Sequence, residues 1–453
     1  MLTKRLIPLV RMVKREFSKL SNKESLAMSL ENCNYNEWSK EDLIKKIEKL
    51  EGQDKGNSIV TTNDGQDIPK KKQKKQFDFL KYHKRFIALK FGYLGWNYNG
   101  LAFQYEPTPL PTVEETILQA MAKAKLISSA DPDSCKFSRC GRTDKGVSAM
   151  SQVISLVVRS NFDEEDQKNP ENDDKEVAYI TILNSILPTD IRITAVCLRP
   201  PPDFDARFSC LYRHYRYLFK KTDLDIEAMQ QAAKYYEGVH DFRNFCKIDG
   251  SKQITNFNRQ IHLAKIIHLK DDFFYFDLKG SAFLWHQVRC MVAVLFLIGQ
   301  KLESPTLVQQ LLDVNNLPSK PNYEMANDIP LVLYDCAFPP MEWLEPNDFS
   351  KHKMEKDSSL FKGLLLDYQL KANIAEILDS FFIKDRKEPL LTKNGGAINT
   401  GNGRGRYFKT YTPVIQRQVG DTFEVVNERH RQKLLKKKNE KKNVDNGTAN
   451  SSH

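Results

Sequence analysis

From Arg85 onward, apolar positions alternate between runs with a two-residue period and longer stretches with a helical period. Phe86–Tyr93 reads as a strand and Val113–Leu126 as a helix. Cys135–Cys140 and Gln152–Val158 are strand-like, Val177–Leu187 is helical and Ile191–Leu198 is again a strand. This β-α-β-β-α-β order then recurs. Its second copy is strand Tyr212–Phe219, helix Ile226–Tyr236, strands Gln260–Leu269 and Phe273–Leu278, helix Phe283–Gly299 and strand Leu331–Phe338. The pattern predicts an α/β (α+β) fold of two tandem ferredoxin-like halves, with mainly antiparallel sheets and helices on one face. The other faces are then free to floor a cleft between the halves. The expected boundaries are 84–205 and 206–345 for the two halves, with extensions at 1–83 and 346–453.

The extensions read differently. Met1–Leu20 carries Lys4, Arg5, Arg11, Lys14, Arg15 and Lys19 against Glu16 alone, interleaved with aliphatic residues. It suits a mitochondrial-type presequence or a basic arm equally. Trp38–Glu51 predicts a short helix capped by Ser39, with Leu43, Ile44, Ile47 and Leu50 as its apolar stripe. Lys70–Lys75 reads as a basic linker, either a nuclear-import patch or a phosphate tether. Within the core, Asp163–Glu176 holds eight acidic residues and two lysines and predicts a solvated, disordered loop. Beyond about residue 350 only Leu360–Phe382 predicts a helix. Gly401–Arg406 reads as a flexible basic loop and Arg429–Lys442 as a basic polar tail.

Charge narrows the partner. The 453 residues hold 69 Lys+Arg against 58 Asp+Glu, a formal net charge of +11. That balance favours an anionic partner without choosing between nucleic acid and a membrane surface. Met291–Ile298, the longest apolar run, is far too short to span a bilayer. The eight cysteines include no Cys-x-x-Cys pair and read as reduced intracellular thiols. His286 and Cys290 share a helical face, but no second ligand pair accompanies them, so no metal is expected.

The densest chemistry lies in Phe137–Ala149, Phe-Ser-Arg-Cys-Gly-Arg-Thr-Asp-Lys-Gly-Val-Ser-Ala. Asp144 sits among Arg139, Arg142 and Lys145, between Gly141 and Gly146. Cations hold a carboxylate ionised, and the glycines allow a polymer to approach the backbone closely. Such an acid suits nucleophilic or proton-abstracting work on a polyanion. An Asp in an Asp-Lys-Gly turn more often merely caps its own backbone. Gly141 and Gly146 have phosphate-loop spacing, but Val147-Ser148 follows where Lys-Ser or Lys-Thr is required, which excludes a nucleotide loop.

Leu211–Lys221 interleaves aromatics with cations. As a strand it places Arg213, Tyr215 and Tyr217 on one face and His214, Arg216 and Lys220 on the other. Aromatic faces stack on bases while cations hold phosphates, although an ordinary tyrosine-rich strand carries the same pattern. Arg289 falls near the start of a helix that is apolar almost all round. A buried guanidinium needs an acidic partner, and Asp144 is an economical one; otherwise Arg289 reaches the surface at the helix edge.

Residues 84–340 resemble the TruA family of tRNA pseudouridine synthases. Gly141–Val147 with Ala149 matches the family's catalytic loop, and Asp205-Ala206-Arg207-Phe208-Ser209 matches the segment before its Tyr-Arg-Tyr strand. Ser281–Arg289 matches the arginine-bearing helix and Ile329-Pro330-Leu331-Val332 the last strand. The resemblance implies that Asp144 is catalytic and that Arg142 helps flip the nucleotide. It further implies that Tyr215 stacks on the target base, that Arg289 pairs with Asp144, and that Ile329 and Leu331 wall the pocket. The implied reaction converts uridine to pseudouridine in tRNA, in an RNA-binding cleft, without cofactor, metal or membrane. The loop wording and Tyr323–Asp328 look most similar to fungal members, which places the expected targets in the anticodon arm, at positions 38 and 39. A homodimer and a nuclear and cytoplasmic location, with a mitochondrial fraction from the N-terminal segment, are further expectations.

Two rival readings follow from the same residues. A tandem RRM-like RNA-binding protein without catalysis would use the same fold, but its RNP1 octapeptide is missing from the central strands. A carboxylate-based glycosidase needs two acids across the scissile bond, and only Asp144 stands out.

Overall fold

The computed structural model describes residues 77–346, 351–382 and 395–449. The expectations for Met1–Leu20, Trp38–Glu51 and Lys70–Lys75 therefore lie outside the described residues.

The first half comprises β1 (His83–Tyr93), α1 (Val113–Lys123), β2 (Ser138–Arg139), β3 (Ser148–Ser160), α2 (Tyr179–Ile186) and β4 (Ile191–Cys197). The second comprises β5 (Tyr212–Lys220), α3 (Ile226–Lys234), β6 (Gly238–Asp241), β7 (Asn258–Lys270), β8 (Phe273–Gly280), α4 (Gln287–Gly299), α5 (Leu307–Leu312) and β9 (Leu331–Ala337). Both have the ferredoxin-like strand arrangement, and they share one nine-stranded sheet of order β4-β1-β3-β9-β5-β8-β7-β6, with β2 alongside β3. Every ladder in it is antiparallel except β3–β9, where Ser148 pairs with Val332 and Ala149 with Leu333. This parallel seam positions the site. Parallel strands begin at the same end, so the loops leading into β3 and β9 emerge side by side.

Local chemistry explains the elements and their departures from expectation. Thr112 accepts from the Glu115 N–H and its own N–H donates to the Glu115 carboxylate, a capping box that starts α1. Central β1 buries Ile87, Ala88 and Leu89 completely, as a strand between two neighbours must. The expected strand Cys135–Cys140 shrinks to two residues because Asp131-Pro132 opens a tight turn that closes with Lys136 at φ +51°. Helix α4 starts at Gln287 rather than Phe283, since His286 is left-handed at φ +63°. From Cys290 to Gly299 it is buried throughout.

The acidic stretch Asp163–Glu176 is folded, not disordered. Glu176 is 7% exposed and pairs with Arg85 at 2.9 Å, accepting also from Ser160 Oγ at 2.7 Å and Asn161 N at 3.0 Å. The polar run is anchored by one buried carboxylate that composition could not single out.

The C-terminal extension adds α6 (Lys351–Phe382), the hairpin β10 (Gly396–Ile398) and β11 (Arg406–Phe408), and α7 (Phe423–Ala449), which takes in the expected basic tail. The expected loop Gly401–Arg406 falls in the hairpin's turn and the first residue of β11, and it is built against the core: a Cβ on Gly401 would meet the Tyr217 hydroxyl at 2.2 Å. Gln300 donates to the Ala397 carbonyl at 3.0 Å, Asn327 N donates to the Thr400 carbonyl at 2.7 Å, and Tyr411 donates to Glu303 at 2.7 Å. No helix among the described residues is long and apolar enough to cross a membrane.

Candidate active site

The loop from Cys140 to Val147 leads directly into β3 and is fixed mostly by its backbone and neutral side chains. Cys140 N donates to Val153 O at 2.9 Å, and Gln152 donates to the Gly141 carbonyl at 3.0 Å. Thr143 Oγ1 meets the buried Tyr93 hydroxyl at 2.6 Å, and its carbonyl accepts from Leu101 N at 3.2 Å. Gly95 lets the neighbouring turn close on this loop, because a Cβ there would lie 2.0 Å from the Val147 carbonyl oxygen. Gly146 supplies the positive φ of +81° that ends the loop.

Asp144 projects half-buried from this frame. Trp285 Nε1 donates to its Oδ1 at 3.2 Å, and His286 Nε2 stands 3.4 Å from Oδ2. Both side chains reach the carboxylate because the left-handed His286 turns the chain just before α4. Lys247 lies 4.8 Å from the centre of the Trp285 ring, a cation–π contact at the rim of the site.

The electrostatics differ from the sequence expectation. The cations beside Asp144 in sequence do not neutralise it: Arg139 is paired with buried Glu114, while Arg142 and Lys145 are exposed. Burial pushes the Asp144 carboxyl above its ordinary value; the charge of Arg289 and the Trp285 hydrogen bond oppose that rise, and nearby Asp328 adds to it. Burial also depresses His286 to about 4, helped by Arg289, Lys247 and Lys320. At neutral pH the imidazole is therefore uncharged, and its approach to Asp144 is not an ion pair.

Arg289 is the second correction. Its Nε donates to the Ala326 carbonyl at 2.7 Å and its Nη1 lies 3.9 Å from Asp328 Oδ2. It stabilises the Asp144 charge through space, with no direct ion pair. The segment before β9 delivers Asp328 here, and a Cβ on Gly146 would stand 3.0 Å from the Asp328 carboxyl carbon. Asp328 is thus a second acid beside Asp144, one that sequence reading did not single out.

The remaining expected residues surround the loop. Tyr215 is 8% exposed on the predicted face of β5 and meets the Phe283 ring edge-on at 5.0 Å. Burial raises its hydroxyl well above the ordinary tyrosine value. Tyr217 and Arg213 share that face, and Arg213 donates to the carbonyls of Cys140 at 2.7 Å and Ser281 at 2.9 Å. On the opposite face His214 and Arg216 bond Asp277, as the alternation requires. Leu331, the first residue of β9, is buried, and Ile329, two residues before it, is exposed. Arg142 makes no hydrogen bond or ion pair among the described residues, so its guanidinium is free to meet a ligand. The side chains of His286 and Cys290 have different partners: His286 faces Asp144 and Cys290 contacts Lys320 Nζ at 3.2 Å.

Residues 232–339 match the family described as tRNA pseudouridine synthase. The chain is 52% identical over 436 residues to the tRNA pseudouridine(38/39) synthase of Saccharomyces cerevisiae, spanning 93% of this chain and 96% of that protein. It is 42% identical to the mouse protein of the same name, spanning 69% and 68%. It is 34% identical to tRNA pseudouridine synthase A of Methanothrix thermoacetophila, spanning 60% and 89%. The chain belongs to the TruA family of tRNA pseudouridine synthases and is an isomerase.

Proposed function

We propose that this enzyme isomerises uridines 38 and 39 in the anticodon arm of tRNA, with Asp144 as the catalytic carboxylate. The reaction breaks the N1–C1′ bond, turns the detached uracil over and forms C5–C1′; N1 gains a proton and C5 loses one. A single carboxylate suffices, either attacking C1′ or removing the C2′ proton. The observation that carries the reading is the position of Asp144: half-buried, bonded by Trp285, under the field of Arg289 and on a loop anchored at the seam between the halves. Tyr215 and Leu331 suit a wall for the flipped base, Ile329 suits its rim, and exposed Arg142 suits a wedge that displaces the nucleotide from its stack. The names of the yeast and mouse relatives supply the two positions.

The enzyme also fits a homodimer, since Phe361, Leu365, Leu370, Ile374 and Ile377 are exposed along α6. Light scattering of the full chain tests this, and a monomer at working concentration refutes it.

The direct test measures tritium release from C5-labelled uridine tRNA and maps the pseudouridines formed. Release together with pseudouridine at 38 and 39, lost in Asp144→Asn while tRNA binding persists, is the expected result. Binding without release would restore the non-catalytic RNA-binding reading.

A further inference from the structure

Three cysteines from distant parts of the chain converge behind the catalytic loop. Cys140 opens that loop, Cys210 precedes β5 and Cys336 lies in β9, where it pairs across the ladder with Arg213. Their sulfurs all lie within 4.8 Å of one another, and all three thiols are free. Cys140 and Cys336 are 1% and 4% exposed, whereas Cys210 is only half-buried and reaches solvent.

Among the described residues, no His, Asp or Glu joins the group to complete a tetrahedral metal site. A guanidinium accompanies it instead, since Arg213 interacts electrostatically with all three sulfurs. A fixed cation disfavours a bound dication and favours a thiolate anion. Cys210 is the one of the three that reaches solvent; its Sγ lies 3.3 Å from the Tyr212 carbonyl, and the neighbouring Cys140 and Cys336 thiols, then Arg213, draw it below the ordinary thiol value against the effect of burial. Burial pushes Cys135 and Cys197 up to about 11 and Cys246 up to about 12, so these thiols are protonated at neutral pH. A solvent-reaching thiol that ionises readily beside a second thiol is the arrangement of an oxidation-sensitive pair.

We propose that Cys210 is a hydroperoxide-sensitive modification site that, once oxidised, bonds to Cys140 and displaces the catalytic loop. The Cys210 thiolate attacks the peroxide, breaking O–O and, with one proton, leaving a sulfenic acid and an alcohol or water. The Cys140 thiol then attacks that sulfur, forming S–S and releasing water. Two thiols are oxidised by two electrons and one peroxide is reduced. A disulfide requires sulfurs about 2.0 Å apart, closer than any thiol contact. Closure therefore pulls on Cys140, whose backbone bonds Val153 and Arg213 and which lies four residues before Asp144.

Only the activity readout rests on the proposed role of Asp144; disulfide mapping stands apart from it. The full chain is treated with equimolar hydrogen peroxide without reductant, and its peptides are mapped by mass. A Cys140–Cys210 disulfide is expected, with pseudouridylation falling at least about tenfold and returning with dithiothreitol. Cys210→Ser, or Cys210→Ala if the serine variant folds poorly, should keep untreated activity and resist peroxide. A disulfide that omits Cys140, oxidation of other cysteines before Cys210, or equal inactivation of the Cys210 variants overturns the proposal. So does one tightly bound metal ion per chain in the untreated protein. If the disulfide forms with no change in activity, the coupling to the loop is refuted.

Discussion

Asp328 draws Arg289 away from Asp144: the guanidinium lies 3.9 Å from the Asp328 carboxylate and bonds the adjacent Ala326 carbonyl at 2.7 Å. The same acid packs over Gly146 and repels the charge on Asp144. One arginine therefore serves two carboxylates, only one of which lies on the loop that matches the family's catalytic motif.

Asp328→Asn should shift the acid limb of the activity profile to lower pH. The Asp144 carboxyl stands above its ordinary value, with burial as the main cause and Asp328 a contributor. Removing that negative neighbour favours the ionised form, so Asp144 stays ionised to lower pH. Single-turnover rates across the acid range measure the shift; a move to higher pH, or none, refutes it.

Trp285→Phe removes the indole donor to Asp144 Oδ1 while keeping an aromatic ring near Lys247 and His286. A hydrogen bond to a charged group contributes about 1.5–3 kcal/mol, so the chemical step should slow by about 10- to 150-fold. tRNA affinity should change little. A binding defect with an unchanged single-turnover rate would show that Trp285 contacts RNA instead.

Tyr215→Phe should retain activity, because the Tyr215 hydroxyl makes no hydrogen bond among the described residues and its ring packs on Phe283. Tyr215→Ala should lose about 1–3 kcal/mol of base stacking. An inactive Phe variant that binds tRNA normally would give the hydroxyl a chemical role.

Glu176→Gln should lower the unfolding free energy by about 3–5 kcal/mol, since Arg85 would remain charged and buried without a counter-charge. Burial raises the Glu176 carboxyl, but hydrogen bonds from Asn161, Ser160 and Val177, with Arg85, outweigh it and leave it below the ordinary value. Its stabilisation is thus complete above the unfolded-state value and lost as pH falls through the folded one. Denaturant titrations of wild type and variant should converge on acidification.

The alternation in Arg213–Tyr217 was legible because a strand's side chains obey a strict two-residue period, and the structure keeps it. Strand order within each half followed from the recurring β-α-β-β-α-β pattern. The parallel β3–β9 seam did not, because pairing over nearly two hundred residues leaves no local mark. The start of α4 was hidden for a different reason: Phe283–Trp285 are apolar enough to extend the helix, and nothing in the sequence signals the left-handed His286. The charge environment of Asp144 was least legible. Its sequence neighbour Arg139 is taken by Glu114, while Arg289 and Asp328 arrive through folding. The hairpin at Gly396–Phe408 left no signal because three-residue strands carry too few positions for any period.

The helix α7 should add affinity without choosing the target. Lys433, Lys436, Lys437 and Lys438 are exposed on it, while Asn427 near its start is buried and bonds the Ile254 carbonyl at 3.1 Å. The helix is therefore tied to the core at one end and presents lysines at the other. Point charges on flexible stems neutralise phosphates but do not read base edges. Replacing all four lysines with glutamine should weaken tRNA binding alike for every substrate. It should also flatten the logarithmic salt dependence by about 0.7–0.9 for each phosphate that is no longer neutralised. The pseudouridine positions should stay the same, because in the proposed function the site choice belongs to the cleft that presents one uridine to Asp144. Filter binding at several salt concentrations, with pseudouridine mapping of the same variant, tests both halves of the claim. Modification of different uridines by the glutamine variant would assign α7 a part in recognition.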